Sequence, residues 1–181
     1  MNMPYGYSNE YEEWYVPPAV LEDLEDKMGQ AVFGDLVGGE VSAAVEALGK
    51  RELAFLLSGA SSTKDRAYKN ARDNLSRYLR GTRKPRADWK AKMTGITRAW
   101  RIKQIRDRGR LSVRAVVTLV TSKKPWTGPV SDVLSGRYLR QFVDAVEAGD
   151  AVGALQTLTE SYGLHPDYVL EVESVASIEV T

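Results

Sequence analysis

Arginine, lysine and asparagine side chains recur along residues 64–85, KDRAYKNARDNLSRYLRGTRKP. A guanidinium group can form two hydrogen bonds with guanine, and an asparagine amide can do the same with adenine, so these side chains can read base edges in a major groove. Lysine and the other arginines suit phosphate oxygens, which position a protein on a duplex. The chemistry of this stretch therefore predicts DNA recognition.

A helix over residues 64–79 would place these side chains on one surface. Its apolar residues, Ala67, Ala71, Leu75, Tyr78 and Leu79, have the spacing of a single helical face. A solvated helix face on any soluble protein is the alternative interpretation. The candidate DNA-binding residues on the helix and in the basic loop after it are Lys64, Arg66, Lys69, Asn70, Arg72, Asn74, Arg77, Arg80, Arg83, Lys84 and Arg86.

Charge is strongly segregated along the chain, although the net charge is only +1. Residues 50–114 carry 20 Lys/Arg against five Asp/Glu, or +15, whereas the remainder carries −14. Such a concentrated basic block is typical of a surface that binds phosphates and releases counterions. A block that is only solvated, or that pairs with the acidic flanks, is the alternative.

The residue types needed for most catalytic or metal chemistry are scarce. The chain has no cysteine and one histidine, His165, so thiolate metal sites, disulfides and a supported Ser-His-Asp triad are excluded. There is no glycine-rich phosphate loop and no recognisable carboxylate pair. We therefore expect no enzyme, no catalytic residue, no cofactor and no metal. With neither an 18-residue apolar run nor a secretory signal, we expect a cytoplasmic, nucleoid-associated protein that does not enter a membrane.

The elements around the basic helix predict a helix-turn-helix. Residues 41–48 form a short helix that ends at Gly49, and residues 53–57 lie in a second that ends at Ser58 and Gly59. In the turn that follows, Ser62 can cap the basic helix, which would enter the groove. Gly81 fits its C-terminal cap, and a third helix follows Pro85.

The C-terminal part changes character at Gly109. Residues 111–122, LSVRAVVTLVTS, predict a strand with Leu111, Val113, Ala115, Val117 and Leu119 on the buried face. A loop, KKPWTGP at 123–129, precedes two helices, 137–148 with Leu139, Phe142, Val143 and Val146 inward, and 151–162 with Leu155, Leu158 and Tyr162 inward. Gly149 and Asp150 separate the helices. A last strand alternates at Leu170, Val172, Ile178 and Val180, with a break near Ser174.

The predicted fold class is α+β, an N-terminal helical helix-turn-helix domain followed by a small strand-helix-helix-strand domain. Residues 1–18 form an aromatic and acidic arm, 19–108 the helical DNA-binding domain, and 109–181 the β-α-α-β domain. Two strands alone are marginal, so the last domain is expected to pack on its helices or to extend across a dimer. We expect a homo-oligomer.

Two short segments resemble the repressor-type helix-turn-helix signature. They are ELAFLLSG (52–59), with its Leu-Ala pair before the turn, and NLSRYLRGTRKP (74–85), with its aromatic-x-x-Gly-x-Arg-x-Pro tail. The interval between them is longer than in ordinary phage repressors, by roughly two helical turns of about 3.6 residues each.

From about residue 40, the layout resembles the telomere terminal proteins of linear actinobacterial chromosomes and plasmids. The shared features are the helix-turn-helix, an Arg-rich connector, a strand, two helices with a Gly-Asp junction, and a final strand of the form ESVASIEV (173–180). The resemblance implies binding of double-stranded DNA, or of single-stranded or hairpin replicon ends. It also implies a Ser or Thr hydroxyl that primes end synthesis by a partner DNA polymerase. Candidates for the nucleotide-linked hydroxyl are Thr118 and Thr121, with Ser112 and Ser122 behind, against a strand Thr without chemistry.

Two other functions fit the same sequence. One is a phage or plasmid transcriptional regulator, or repressor, whose C-terminal domain dimerises. The other is a self-assembling scaffold in which acidic and basic blocks join head to tail.

Overall fold

The computed structural model describes residues 14–36, 40–121, 126–165 and 168–181. Within them the chain is mixed α+β, with seven α-helices and a three-stranded antiparallel sheet, so the predicted fold class is confirmed. Contacts divide the chain into two compact units. One unit is Gly29–Arg108, and the other joins the described residues up to Met28 to Gly109–Thr181. No helix in the described ranges is long and apolar enough to cross a membrane.

The first unit is entirely helical. It contains the end of α1 (Pro18–Phe33), a 3-10 turn (Gly34–Leu36), α2 (Val41–Leu48), α3 (Lys50–Ser58), α4 (Arg66–Leu79) and α5 (Ala87–Arg108). One buried cluster from α2 to α5 holds the helices together, with Leu53, Leu75 and Met93 fully buried in it. The helices predicted around the turn are present, and Gly49, at φ 81°, separates α2 from α3.

The buried face of α4 differs in part from the prediction. Tyr68, Ala71 and Leu75 are buried and Tyr78 is half-buried, but Ala67 and Leu79 are exposed. Tyr68 takes the inward place predicted for Ala67 because its ring packs on Phe55 of α3, with the ring centroids 4.5 Å apart. The apolar face of α4 is thus rotated slightly from the predicted one.

The two ends of α4 are closed in different ways. The N-cap position is Asp65, and its carboxylate accepts hydrogen bonds from the backbone N–H of Ser61 and Ser62, both at 3.1 Å. Ser62 Oγ accepts from Lys64 N and so stabilises the turn, and the prediction that Ser62 caps the helix is wrong because Asp65 holds the N-cap position. At the other end Gly81 adopts φ 69°, and Thr82 N donates to Arg77 O at 3.0 Å. This glycine-dependent closure confirms Gly81 at the C-terminus of the helix.

The second unit contains the sheet. Its elements are β1 (Arg110–Thr121), β2 (Trp126–Ser135), α6 (Gly136–Ala148), α7 (Ala151–Tyr162) and β3 (Val169–Val180), and the strand order is β2-β1-β3. The predicted order of strand, helix, helix, strand omits β2. Residues 126–129 were predicted to lie in the loop 123–129 but belong to β2, whereas residues 123–125 of that loop lie outside the described residues. Proline is tolerated here because β2 is an edge strand.

The buried residues of β1 and α6 are those that the sequence pattern predicts. The predictions for Tyr162 and for the last strand are wrong. Every second residue of β1 from Leu111 to Leu119 is buried, and α6 buries the four residues predicted to point inward. Tyr162 of α7 and Leu170 of β3 are exposed at 47% and 44%. β3 continues through Ser174, with three register shifts against β1, so its buried valines recur at every third residue.

Part of the N-terminal arm lies against the sheet edge. Tyr15 N donates to Leu170 O at 2.9 Å, and Val172 N donates to Tyr15 O at 3.0 Å, so Tyr15 forms a parallel bridge beside β3. Trp14 is buried. The first 13 residues of the predicted arm lie outside the described residues.

Candidate nucleic-acid interface

The outward surface of α4 brings together five of the eleven candidate residues. Successive residues of a helix are about 100° apart, so Arg66, Lys69, Asn70, Arg77 and Arg80 lie opposite the buried face. All five are exposed. Arg72 and Asn74 lie on the flanks, so the helix brings most of its predicted contacts to one surface and places two at its sides.

The cations of this surface form no salt bridge within the part of the chain that the structure describes. Among the described residues, none of Arg66, Lys69, Arg72 or Arg77 forms a salt bridge. Exposed guanidinium and ammonium groups that are not neutralised within the chain can contact phosphates at no cost of breaking an ion pair. The surface is therefore electrostatically suited to a polyanion.

One acid, Asp73, lies in the middle of the same surface and is also exposed. A carboxylate at this position repels phosphate but can accept a hydrogen bond from the amino group of cytosine. At the centre of the helix Asp73 therefore makes the surface less suited to a phosphate than the cations around it do.

The basic loop is attached to α4 through its flank. Arg83 Nη1 donates to Asn74 Oδ1 at 3.2 Å, and Thr82 Oγ1 donates to Arg77 O at 3.1 Å. Asn74 is half-buried and directed toward the loop, so Asn70 is the exposed asparagine amide of α4. Farther along the loop, Arg86 lies 3.6 Å from Asp88, while Lys84 is exposed and forms no ion pair within the described residues.

The packing of α4 on its neighbours explains how the surface is held. The ring of Tyr78 meets the edge of Trp89 of α5 at 5.3 Å, and Lys92 Nζ donates to Leu57 O, at the end of α3, at 2.6 Å. Trp89 and Lys92 were not predicted to support the site. The helical spacing of the residues after Pro85 predicts the helix on which both residues lie. Only the packing of the structure shows which neighbours they contact.

Several cations of the basic block serve the interior of this unit. Arg101 Nε donates to Val32 O at 3.0 Å, and burial, with Arg108 nearby, lowers the pKa of Arg101. Arg98 lies over the ring of Phe33 at 5.0 Å. Some α5 cations of the +15 block therefore contact the helical unit itself, whereas those of α4 and its loop are exposed.

The two threonines proposed for nucleotide linkage lie on opposite faces of the central strand. Thr118 is paired with Thr127 of β2 and Ser174 of β3, on the face away from buried Leu119. Thr121 is the last residue of β1 and pairs with Val169. Because alternate residues of a strand share a face, Thr121 lies on the same face as the buried residues from Leu111 to Leu119. Both are half-buried. Ser112 is exposed on the same face as Thr118, and Ser122 lies outside the described residues.

No group of three or more potential metal ligands occurs in the described part of the chain. Comparison with protein-family models, curated proteins and solved structures gave no match.

Proposed function

We propose that this protein binds double-stranded DNA, with α4 as the recognition helix of a helix-turn-helix. The observation that carries the proposal is the division of α4 into two faces. One face packs on α3 through Tyr68, and the other presents Asn70 and exposed cations that form no salt bridge among the described residues.

The dimensions of α4 suit this role. The helix has 14 residues, so it is about 21 Å long and can lie along a major groove about 12 Å wide. In the proposed complex Asn70 and Arg77 contact base edges, and Arg83 and Lys84 contact phosphates. The Arg83–Asn74 hydrogen bond joins the loop to the helix, so both kinds of contact come from adjoining segments.

The resemblance to telomere terminal proteins extends the proposal to DNA ends. In that function Thr118 Oγ1 attacks the α-phosphorus of a nucleoside triphosphate, pyrophosphate leaves, and the hydroxyl proton passes to solvent. A partner polymerase supplies the metal ions and the in-line geometry. Thr118 is favoured over Thr121 because it lies on the face of the sheet opposite the buried residues.

Duplex binding is tested with the double variant Lys69→Ala/Arg77→Ala. Removing two phosphate or base contacts should weaken binding at least tenfold at moderate salt, since each good contact contributes about 1–3 kcal/mol. If both contacts are to phosphates, the slope of log K against log salt should fall by about 2. Fluorescence anisotropy over a salt series measures both quantities.

The matched control is Arg137→Ala/Arg140→Ala on α6, which removes the same charge from the other unit. It should change affinity by less than threefold. Equal effects of the two double variants would show that only net charge matters, and unchanged binding by the α4 variant would exclude α4 as the interface.

Selection of bound fragments from a replicon of the native host distinguishes the biological roles. Enrichment of replicon ends supports the terminal-protein function. Enrichment of palindromes with half-sites one or more helical turns apart instead supports a dimeric regulator. Salt-sensitive self-association without any DNA binding would support the scaffold.

A further inference from the structure

A cleft of about 490 Å³ lies at the C-terminal end of α4. It is bounded by the start of α2, the last turn of α4, the basic loop and the first turn of α5. Its volume is in the range of small-ligand sites, about 300–1,000 Å³. All of its lining residues belong to the helical unit.

One wall of the cleft is apolar and partly aromatic. Tyr78, Leu79 and Pro85 line it, and Leu79 is 43% exposed, which is high for a leucine that ends a packed helix. The Tyr78 ring is held against Trp89. An exposed apolar surface beside a fixed ring is suited to the flat face of a nucleobase.

The rim of the cleft is cationic. Arg83, Lys84 and Lys90 line it, with Glu40 as the acid among its lining residues. Lys84 and Lys90 form no salt bridge within the described ranges, and Arg83 is positioned by Asn74. Two ammonium groups and a guanidinium group beside an apolar wall match the two parts of a nucleotide, which are phosphate and base.

We propose that this cleft binds a single unpaired nucleotide, with its base against Tyr78 and Leu79 and its phosphate between Lys84 and Lys90. A base stacked inside a duplex cannot reach such a cleft, so the ligand is a nucleotide in a single-stranded extension or a free nucleotide. The inference rests on the proposed function, because a duplex held by α4 delivers its strand to the end of that helix.

The experiment compares a blunt duplex with the same duplex carrying a single-stranded thymidine extension, by competition anisotropy. Stacking of one base is worth about 1–3 kcal/mol, so the extended duplex should bind about 5- to 100-fold more tightly. Leu79→Ser and Lys90→Ala should each reduce this preference at least threefold. Both positions are exposed, so the fold should tolerate the changes.

Two variants serve as matched controls. Leu56→Ser alters a leucine of α3 with the same exposed fraction, 43%, and Lys103→Ala removes a lysine about 20 Å farther along α5. Neither should change the preference for the extension. If all four variants behave alike, the cleft is not the binding site.

The outcomes separate the two proposals. Equal binding of blunt and extended duplexes would exclude the cleft as a nucleotide site. It would leave the proposal of duplex binding by α4 unaffected. If neither duplex binds, the proposed function fails. A titration with thymidine monophosphate then tests whether the cleft binds a nucleotide. NMR shifts of Leu79 and Tyr78 with the nucleotide, but not with inorganic phosphate, would then support a site for free nucleotides. No shift would exclude the site.

Discussion

The rings of Phe55 and Tyr68 lie 4.5 Å apart at an angle of 35°, so one aromatic pair joins α3 to α4. Tyr68 is 4% exposed, and the guanidinium of Arg51 lies 6.0 Å from the centre of the Phe55 ring on its outer side. The orientation of the proposed recognition helix therefore depends on a contact within the helical core.

Tyr68→Ala should lower the free energy of unfolding by about 3 kcal/mol, because it removes a buried ring and leaves a cavity beside Phe55. Urea denaturation measures the loss. Leu56→Ala, at an exposed position on α3, should cost less than about 1 kcal/mol. A comparable loss in both variants would contradict the role assigned to the aromatic pair.

Gly81→Ala should destabilise the helical unit by about 1–2 kcal/mol, because Gly81 has φ 69°, which a residue with a Cβ adopts only with strain. The same change should weaken DNA binding, since the loop that carries Arg83 and Lys84 starts there. Thermal denaturation and anisotropy measure the two effects.

Gly95→Ala is the matched control for Gly81→Ala, and its expected effect on stability has the opposite sign. Gly95 lies within α5, its φ is not in the left-handed region, and a Cβ there would meet no atom within 4 Å. This substitution should stabilise the protein by about 0.5–1 kcal/mol and leave DNA affinity unchanged. Destabilisation of both variants to the same extent would show that backbone conformation does not explain the Gly81 effect.

Asp73→Asn should raise affinity for random duplex DNA about two- to fivefold, because it removes the acid from the centre of the α4 surface. If Asp73 also accepts a hydrogen bond from cytosine, selected binding sites should lose a preference at one position. The control is Asp107→Asn, which makes the same charge change near the end of α5, beside Lys103. An equal gain from the control would assign the effect to net charge alone.

A protein isolated from its native cells and digested with nuclease should carry a nucleoside monophosphate on Thr118. Trypsin releases residues 115–123 as one peptide, AVVTLVTSK, and tandem mass spectrometry distinguishes Thr118 from Thr121 within it. Thr118→Val should abolish the modification and Thr121→Val should retain it. If the peptide from native cells carries no nucleotide, the priming function is excluded, while duplex binding by α4 is unaffected.

Local patterns in the sequence determined most of the helices and one strand. The periodicity of β1 and α6 predicted their buried residues because each pattern depends on neighbours a few positions away. Gly81 could be placed at the end of a helix for the same reason, and the charge segregation around α4 follows from the order of residues in the sequence. The proposed class of ligand also comes from these local features.

Only the tertiary structure decided which partners these residues meet. Tyr68, and not Ala67, is buried on α4 because its ring packs on Phe55. Residues 126–135 form the strand β2 because they pair with β1, although Gly128 and Pro129 disfavour a strand. The hydrogen bond from Arg83 to Asn74 and the cleft that combines the start of α2 with Lys90 of α5 depend on contacts between separate elements. Those contacts form when the chain packs, and a periodic pattern within one segment carries no information about the segment that will lie against it.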